Sequence, residues 1–245
     1  METIQTQLIN LGINPGDVIL MHSSMKALET TNTPETFLSE ILEYLTKNGT
    51  LLLPALTYKN VSGKNLVFSI VDSEPCIGLL PKTFQKMDGV VRSMHPTHSV
   101  CAYGLKAENL TMHHYKDDTP VGPNSPFMLL TEYNGKILFV GDVVNSCTFM
   151  HGIEEIVGTP YTLNDEMTRY TLIDKTGDSF DKDYYTHNFT GWRQEYYKIC
   201  DILTSPDIQT GKIYNADCTL IDAQALKRNA LPKFKHDIYS FVSRA

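Results

Sequence analysis

Residues 14–56, NPGDVILMHSSMKALETTNTPETFLSEILEYLTKNGTLLLPAL, decide the fold. After the turn signal Asn14-Pro15-Gly16, the apolar run 17–22 predicts a short buried strand ending at His22, Ser23 and Ser24. Thr33 then offers an N-cap and Pro34 a first-turn proline, Phe37, Ile41 and Leu45 recur every four residues, and Asn48-Gly49 stops the segment. That spacing predicts a helix. The apolar run 50–56 predicts a second buried strand. Strand, helix and strand within about 40 residues form a βαβ unit, whose crossover requires parallel strands.

The pattern continues outward from this unit. Residues 78–89 read as a short helix, and 99–104 and 136–142 as strands. Beyond residue 158 the texture changes. Residues 159–189 alternate polar with Tyr, Thr, Leu and Ile around the turn signal Lys175-Thr176-Gly177, which predicts a β-hairpin. Residues 192–203, WRQEYYKICDIL, read as a helix. The expected architecture is α/β, a single domain over 1–245. A central mainly parallel or mixed sheet flanked by helices occupies 1–158, a β-rich C-terminal insertion near the substrate cleft 159–190, and a closing helix and C-terminal segment 191–245.

Composition narrows the function. Lys and Arg total 21 against 28 Asp and Glu, a net charge of −7, with no run of five like charges. No basic footprint for a nucleic acid is present. The balance would favour a cationic ligand wherever acids gather around a cleft. The five cysteines form no C-x-x-C pair, which suits a reduced, cytoplasmic protein. No signal peptide is apparent, and no uncharged apolar stretch approaches the ~20 residues that span a bilayer, so no membrane partner is expected. P-loop, G-x-G-x-x-G and G-x-S-x-G motifs are lacking, which leaves ATP, Rossmann dinucleotide and α/β-hydrolase chemistry without support.

Chemistry concentrates in three places. In 146–158, SCTFMHGIEEIVG, helical projection puts Phe149, Met150, Ile153, Ile156 and Val157 on one side and Thr148, His151, Glu154 and Glu155 on the other. Asn145 or Ser146 is the expected N-cap, and a core strand leading into a helix start is where open α/β sheets bind ligands. Glu154 and Glu155 lie three and four residues beyond His151, so either can meet the imidazole. A carboxylate there suits a general base; the competing reading is a solvated face with a fortuitous pair. The second place is 90–104, VVRSMHPTHSVCAYG, dense in Arg92, Ser93, His95, His98 and Ser99. Pro96 prevents a regular helix and no H-E-x-x-H accompanies the histidines, so a ligand-binding loop fits better than a metal site, and no metal is expected. The third is Ser23-Ser24 at the end of the first strand, suited to a phosphate or pantetheine amide, or else to a plain N-cap. His113-His114 falls in a charged, loop-like region and is expected at the surface.

Taken together, these stretches resemble the aminoglycoside 3-N-acetyltransferase family. The matching segments, in the family's order, are HSSMKAL (22–28), GTLLLPALTY (49–58), GVVRSMHPTHSVCAYG (89–104), VGPNSPFMLL (121–130), NGKILFVGDVVNSCTFMHGIEE (134–155) and GKIYNADCTLIDAQAL (211–226). The resemblance implies an N-acetyltransferase that uses acetyl-CoA as co-substrate and acetylates an amine of a 2-deoxystreptamine aminoglycoside by direct transfer in a ternary complex. It implies His151 as base, Glu154 as its partner, and Thr148 as a donor to the thioester oxygen or leaving thiolate. Glu155 falls close to the substrate, and Ser23, Ser24, Arg92, Ser93, His95 and Ser99 fall in the CoA-binding wall. The partner implied is a small-molecule amine, with the protein a monomer or homodimer. Three departures from antibiotic-inactivating members bear on the acceptor more than on acyl transfer: Thr97-His98 where an acid is common, no glutamate before the serine of GPNSP, and Tyr214 in place of a small residue. An amino sugar or other biosynthetic amine is the alternative acceptor. A non-catalytic acyl-CoA-binding protein and a metal-dependent hydrolase are the alternatives of other classes.

Overall fold

The computed structural model describes residues 2–245 and builds the βαβ unit where the sequence predicts it. Helix α1 (Ile4–Asn10) leads into β1 (Val18–Ser23), the one-turn helix α2 (Met25–Leu28), α3 (Pro34–Leu45) and β2 (Thr50–Pro54). Thr33 Oγ1 accepts the Thr36 N–H at 3.2 Å and Pro34 opens α3, as the capping signal requires. β1 runs parallel to β2 on one side and to β6 (Lys136–Val140) on the other.

Around these three parallel strands the sheet grows by antiparallel pairing. Its order is β10-β11-β6-β1-β2-β5-β4, with β4 (Val91–Arg92), β5 (Val100–Gly104), β10 (Ile208–Ile213) and β11 (Ala216–Asp222) each antiparallel to its neighbours. Short connections, 93–99 between β4 and β5 and Tyr214-Asn215 between β10 and β11, leave no length for a crossover, so these pairs must be antiparallel. The sheet is mixed.

Strand periodicity divides the core. Val18, Leu20, Leu52, Ile137 and Phe139 face one apolar layer, shared with α5 (Ala107–Thr111), α6 (Pro126–Leu129), α7 (Thr148–Val157) and α8 (Ala223–His236). Ile19, Met21, Leu51, Leu53, Leu138 and Val140 face the other, shared with α1, α3 and α4 (Leu79–Gln85). Each fully buried Leu or Phe stabilises these layers by roughly 1.5–3 kcal/mol. Among the described residues no helix is long and apolar enough to cross a membrane.

The predicted hairpin forms as β7 (Thr168–Ile173) and β8 (Ser179–Tyr184), turning at Lys175-Thr176-Gly177. A strand from far upstream, β3 (Val67–Ser69), joins β7 in parallel, and Phe68 packs with Tyr170, Leu172 and Tyr184 in a small third core. The helix expected over 192–203 does not form as such. Its first residues make β9 (Trp192–Gln194), paired with β12 (Val242–Arg244), and Tyr196–Ile202 is a 3₁₀ helix. Trp192 stacks on Tyr239 at 4.8 Å beneath the Arg244 guanidinium, and this tertiary packing overrides the local helical pattern.

Candidate active site

Helix α7 is aimed by the turn that follows β6. Gly141 has φ +89°, and a Cβ there would meet the Ala27 Cβ at 2.7 Å, so the turn tolerates only glycine. A 3₁₀ turn, Val144–Ser146, follows, and α7 starts with Cys147 in the cap position and no side-chain cap. Neither Asn145 nor Ser146 serves as the expected N-cap. The Asn145 side chain is drawn away instead: its Oδ1 accepts the Tyr196 N–H at 2.7 Å and its Nδ2 donates to the Gln194 carbonyl at 3.0 Å. Those two bonds bring Tyr196 to the helix.

The polar face of α7 is not solvated. Glu154 is 0% exposed, while Ile156, projected onto the apolar side, is 55% exposed. Glu154 Oε2 accepts from the Tyr196 hydroxyl at 2.7 Å, and Tyr161 donates to Oε1 at 3.3 Å. The Tyr196 oxygen in turn lies 2.7 Å from His151 Nδ1, which is 3.3 Å from Glu154 itself. The short path is therefore imidazole N–H to phenol oxygen, then phenol O–H to carboxylate. Burial, then Glu154, pushes the Tyr196 hydroxyl well above its usual range, so it stays protonated and donates. With Nδ1 held as the donor, Nε2 carries the lone pair, and the ring lines the open cleft.

Glu155 takes a different partner. Its Oε1 accepts from His187 Nε2 at 2.8 Å and from the Val121 N–H at 3.0 Å, and its side chain is 6% exposed. Glu155, expected near the substrate, does not line the cleft; His187 stands between them. Burial pushes the Glu155 carboxyl up to about 7, and burial followed by His151 pushes His187 down. His187 packs 4.6 Å from His151 and 4.5 Å from His98, with Phe189 4.9 Å from His151. Burial and the neighbouring imidazoles also keep His98 well below the usual histidine range, hence neutral.

These rings wall a cleft of about 850 Å³ that runs between the ends of β1 and β2, the start of α7 and the second sheet. Ser23, Thr148 and His151 line it, as do His98 and, from the insertion, Thr168, Tyr170 and Thr186. Ser24 does not line it; it stands at the N-cap of α2 without a side-chain bond.

The other residues expected in the CoA wall lie behind it and are engaged with the protein, only His95 Nε2 among their side-chain polar atoms being buried without a partner. The Arg92 guanidinium donates to Ser99 Oγ at 2.9 Å and to the carbonyls of Ala55, Ser73 and Ile70, and burial lowers it to about 10. Ser99 Oγ donates to the Ala55 carbonyl. Ser93 Oγ accepts the Val100 N–H and donates to His114 Nδ1 at 2.9 Å, while His114 Nε2 donates to the Pro120 carbonyl. His95 Nδ1 accepts the N–H groups of Thr97 and His98 and its ring stacks on His114. All are buried because their hydrogen bonds tie 55–75 and 93–99 to the sheet. His114, expected at the surface, is 0% exposed for the same reason. Among the described residues, no group of three or more His, Cys, Asp or Glu is placed to hold a metal ion.

Sequence reasoning missed Tyr196, His187 and Tyr161, and gave Asn145 a capping role in place of its bonds to 194 and 196. Tyr196 was concealed within an apparent helix, and His187 follows the hairpin in YTHNF, an aromatic setting that is its one local signal.

Comparison with known proteins completes the description of the site. The family described as Aminoglycoside 3-N-acetyltransferase matches the chain over residues 20–234. Aminoglycoside N(3)-acetyltransferase VII of Streptomyces paromomycinus is 29% identical over 171 residues, 62% of this chain and 59% of that protein's own length. The chain's match thus spans somewhat under two thirds of this curated relative. The apoenzyme structure of aminoglycoside acetyltransferase AAC(3)-IVa superposes with a TM-score of 0.80 at 24% identity, covering 97% of this chain and 89% of that one. The structure of AAC-IIIb binary with CoASH has a TM-score of 0.80 at 23% identity, covering 95% of each chain. These likenesses establish a shared mixed α/β fold.

Proposed function

This chain belongs to the aminoglycoside 3-N-acetyltransferase family, and on that premise we propose that it transfers an acetyl group from acetyl-CoA to a primary amine with His151 as general base. The observation that carries the reading is the chain from His151 Nδ1 through the Tyr196 hydroxyl to buried Glu154, which leaves Nε2 for the cleft.

The amine nitrogen attacks the thioester carbonyl carbon as its proton passes to His151 Nε2. The imidazolium so formed is stabilised through Tyr196 by Glu154, whose charge water cannot screen because the carboxylate is buried. Collapse of the tetrahedral intermediate breaks the C–S bond, and Nε2 returns the proton to the departing thiolate. Thr148, in the first turn of α7 and on the cleft, is the proposed donor to the carbonyl oxygen or the thiolate, where the helix N-terminus also favours negative charge. No acyl-enzyme is needed. Cys147, beside Thr148, is fully buried, and burial pushes its thiol up to about 12, too high for a nucleophile.

For the donor, a solved relative is named as a complex with CoASH, and Ser23 is this chain's proposed contact with it. The relatives' names give the 3-amino group of an aminoglycoside as their own acceptor; for this chain the cleft supports the coarser reading, a primary amine. Thiol release from acetyl-CoA on adding amine tests the reaction. His151→Ala should lower kcat by about 10²–10⁴-fold while CoA binding measured by calorimetry persists. Turnover near the wild-type rate would remove His151 from the chemistry.

A further inference from the structure

Resting on the acyl-transfer reading of this cleft, we propose that its acceptor is an amine bearing one positive charge on an otherwise uncharged, hydroxylated or aromatic body, in preference to a polycation. The lining supports this directly. Among the described residues, the walls hold hydroxyls, amides, imidazoles and aromatic rings, and neither Asp nor Glu. The chain has 28 acidic residues and a net charge of −7, so acids are plentiful elsewhere.

The two carboxylates nearest the base are both sealed. Glu154 is committed to Tyr196, His151 and Tyr161, and Glu155 to His187 and the Val121 N–H. Neither lines the cleft. Asp142, Asp165 and Glu166 lie within three residues of the lining but are exposed, so salt screens them, and Glu195, between Gln194 and Tyr196, is paired with Lys198 at 2.5 Å.

An ammonium group entering a cleft gives up hydration that a nearby carboxylate can return and a neutral wall returns only in part. One ammonium is accommodated, because it gives up a proton to solvent to become the neutral nucleophile, whose second proton passes to His151 as it attacks. Each further ammonium would remain charged against neutral imidazoles, hydroxyls and apolar side chains. The same walls suit an uncharged body. Thr168, Thr186 and Ser62 offer hydroxyls, and Tyr58, Tyr170 and Phe189 offer faces on which a sugar or aromatic ring can stack.

The test compares kcat/KM for thiol release from acetyl-CoA with glucosamine, tyramine and the tetra-amine kanamycin, after calorimetry has verified CoA binding. The expected result is a better monoamine by about 100-fold or more, with its KM changing less than about twofold between low and high salt. Thr168→Glu, which places a carboxylate on the wall, should raise kcat/KM for kanamycin about tenfold. Kanamycin equalling or exceeding both monoamines in the wild type overturns the inference and leaves acyl transfer standing. Thiol release with none of the amines, CoA being bound, overturns both.

Discussion

Two stretches that combine histidine with other polar side chains, 90–104 and 146–158, look equally equipped in the sequence, and the structure uses most of the first in the opposite way to the second. In 90–104 every hydrogen-bonding group of Arg92, Ser93 and Ser99 finds a partner inside the protein, and apart from Thr97 and His98, which reach the cleft, the stretch becomes masonry. In 146–158 the bonds stop one atom short, and His151 Nε2 is left for the cleft. A density of polar side chains therefore does not mark a reactive site. His95 Nε2 also lacks a partner but is sealed in the interior, so what distinguishes the two regions is that the free atom of His151 belongs to a ring on the cleft.

Paired substitutions would break the comparison most severely. His151→Ala should cost about 10²–10⁴ in kcat and leave urea stability within about 0.5 kcal/mol of wild type. Arg92→Ala should do the reverse. It empties a buried site and strands the Ser73 carbonyl, a loss of about 2–4 kcal/mol, with kcat per folded molecule within about threefold. If Arg92→Ala instead abolished turnover in protein shown to be folded, the division between wall and site would not hold.

Tyr196→Phe sharpens the same division within the active region. The variant keeps the ring but removes the bridge, leaving His151 Nδ1 with Glu154 at 3.3 Å. A fall of about 10–100-fold in kcat is expected, with CoA affinity unchanged. A merely structural tyrosine would leave the imidazole untouched. ¹⁵N NMR of His151 should show the Nδ1–H form dominant in the wild type and its Nδ1 resonance shifted in the variant, as the phenol contact gives way to the longer one with Glu154.

How much of this was legible beforehand follows the range of the interactions. The β1-α3-β2 unit could be read because caps, turn residues and apolar spacing are all local. β3 could not, since three residues acquire a strand only by pairing with β7, about a hundred positions on. The His151–Glu154 spacing was readable for the same local reason as the helix. Its burial was not, because the roof over the polar face comes from Tyr161, His187 and Tyr196, each delivered by another segment. The wall residues were readable as types, and their direction was set by carbonyls at 55 and 73 that no local pattern connects to Arg92.

The protein carries five buried neutral imidazoles, two of them in 90–104, and pH should count them. Burial lowers His22 and His114 to about 3, and lowers His95, His98 and His187 well below the ordinary 6.5. Below pH 6.5 the unfolded chain takes up these protons and the folded chain does not, so stability present above 6.5 is lost as pH falls toward 3. Glu155 works the other way. Raised to about 7, it binds a proton when folded that the unfolded chain releases above 4.5, so its contribution is full below 4.5 and lost as pH rises to 7. Five groups outweigh one. Urea stability should fall by at least about 2 kcal/mol from pH 7 to pH 5, and His114→Gln should lessen that slope by about one proton. A flat profile would show that the imidazoles are not buried and neutral as described.

The smallest expected effect separates two adjacent serines. Ser23 and Ser24 are alike in the sequence and were equally placed in the CoA wall, but only Ser23 lines the cleft. Ser24 caps α2 without a side-chain hydrogen bond, so its hydroxyl has nothing to lose inside the protein. If Ser23 donates one neutral hydrogen bond to acetyl-CoA, its removal costs about 0.5–1.5 kcal/mol, and Ser23→Ala should raise KM for acetyl-CoA about two- to tenfold with kcat little changed. Ser24→Ala should leave both constants at wild-type values. Equal effects of the two substitutions would mean that the strand end meets the coenzyme through its backbone, a contact in which neither hydroxyl takes part, and the division between an engaged wall and an open site would then have to be drawn among main-chain atoms as well.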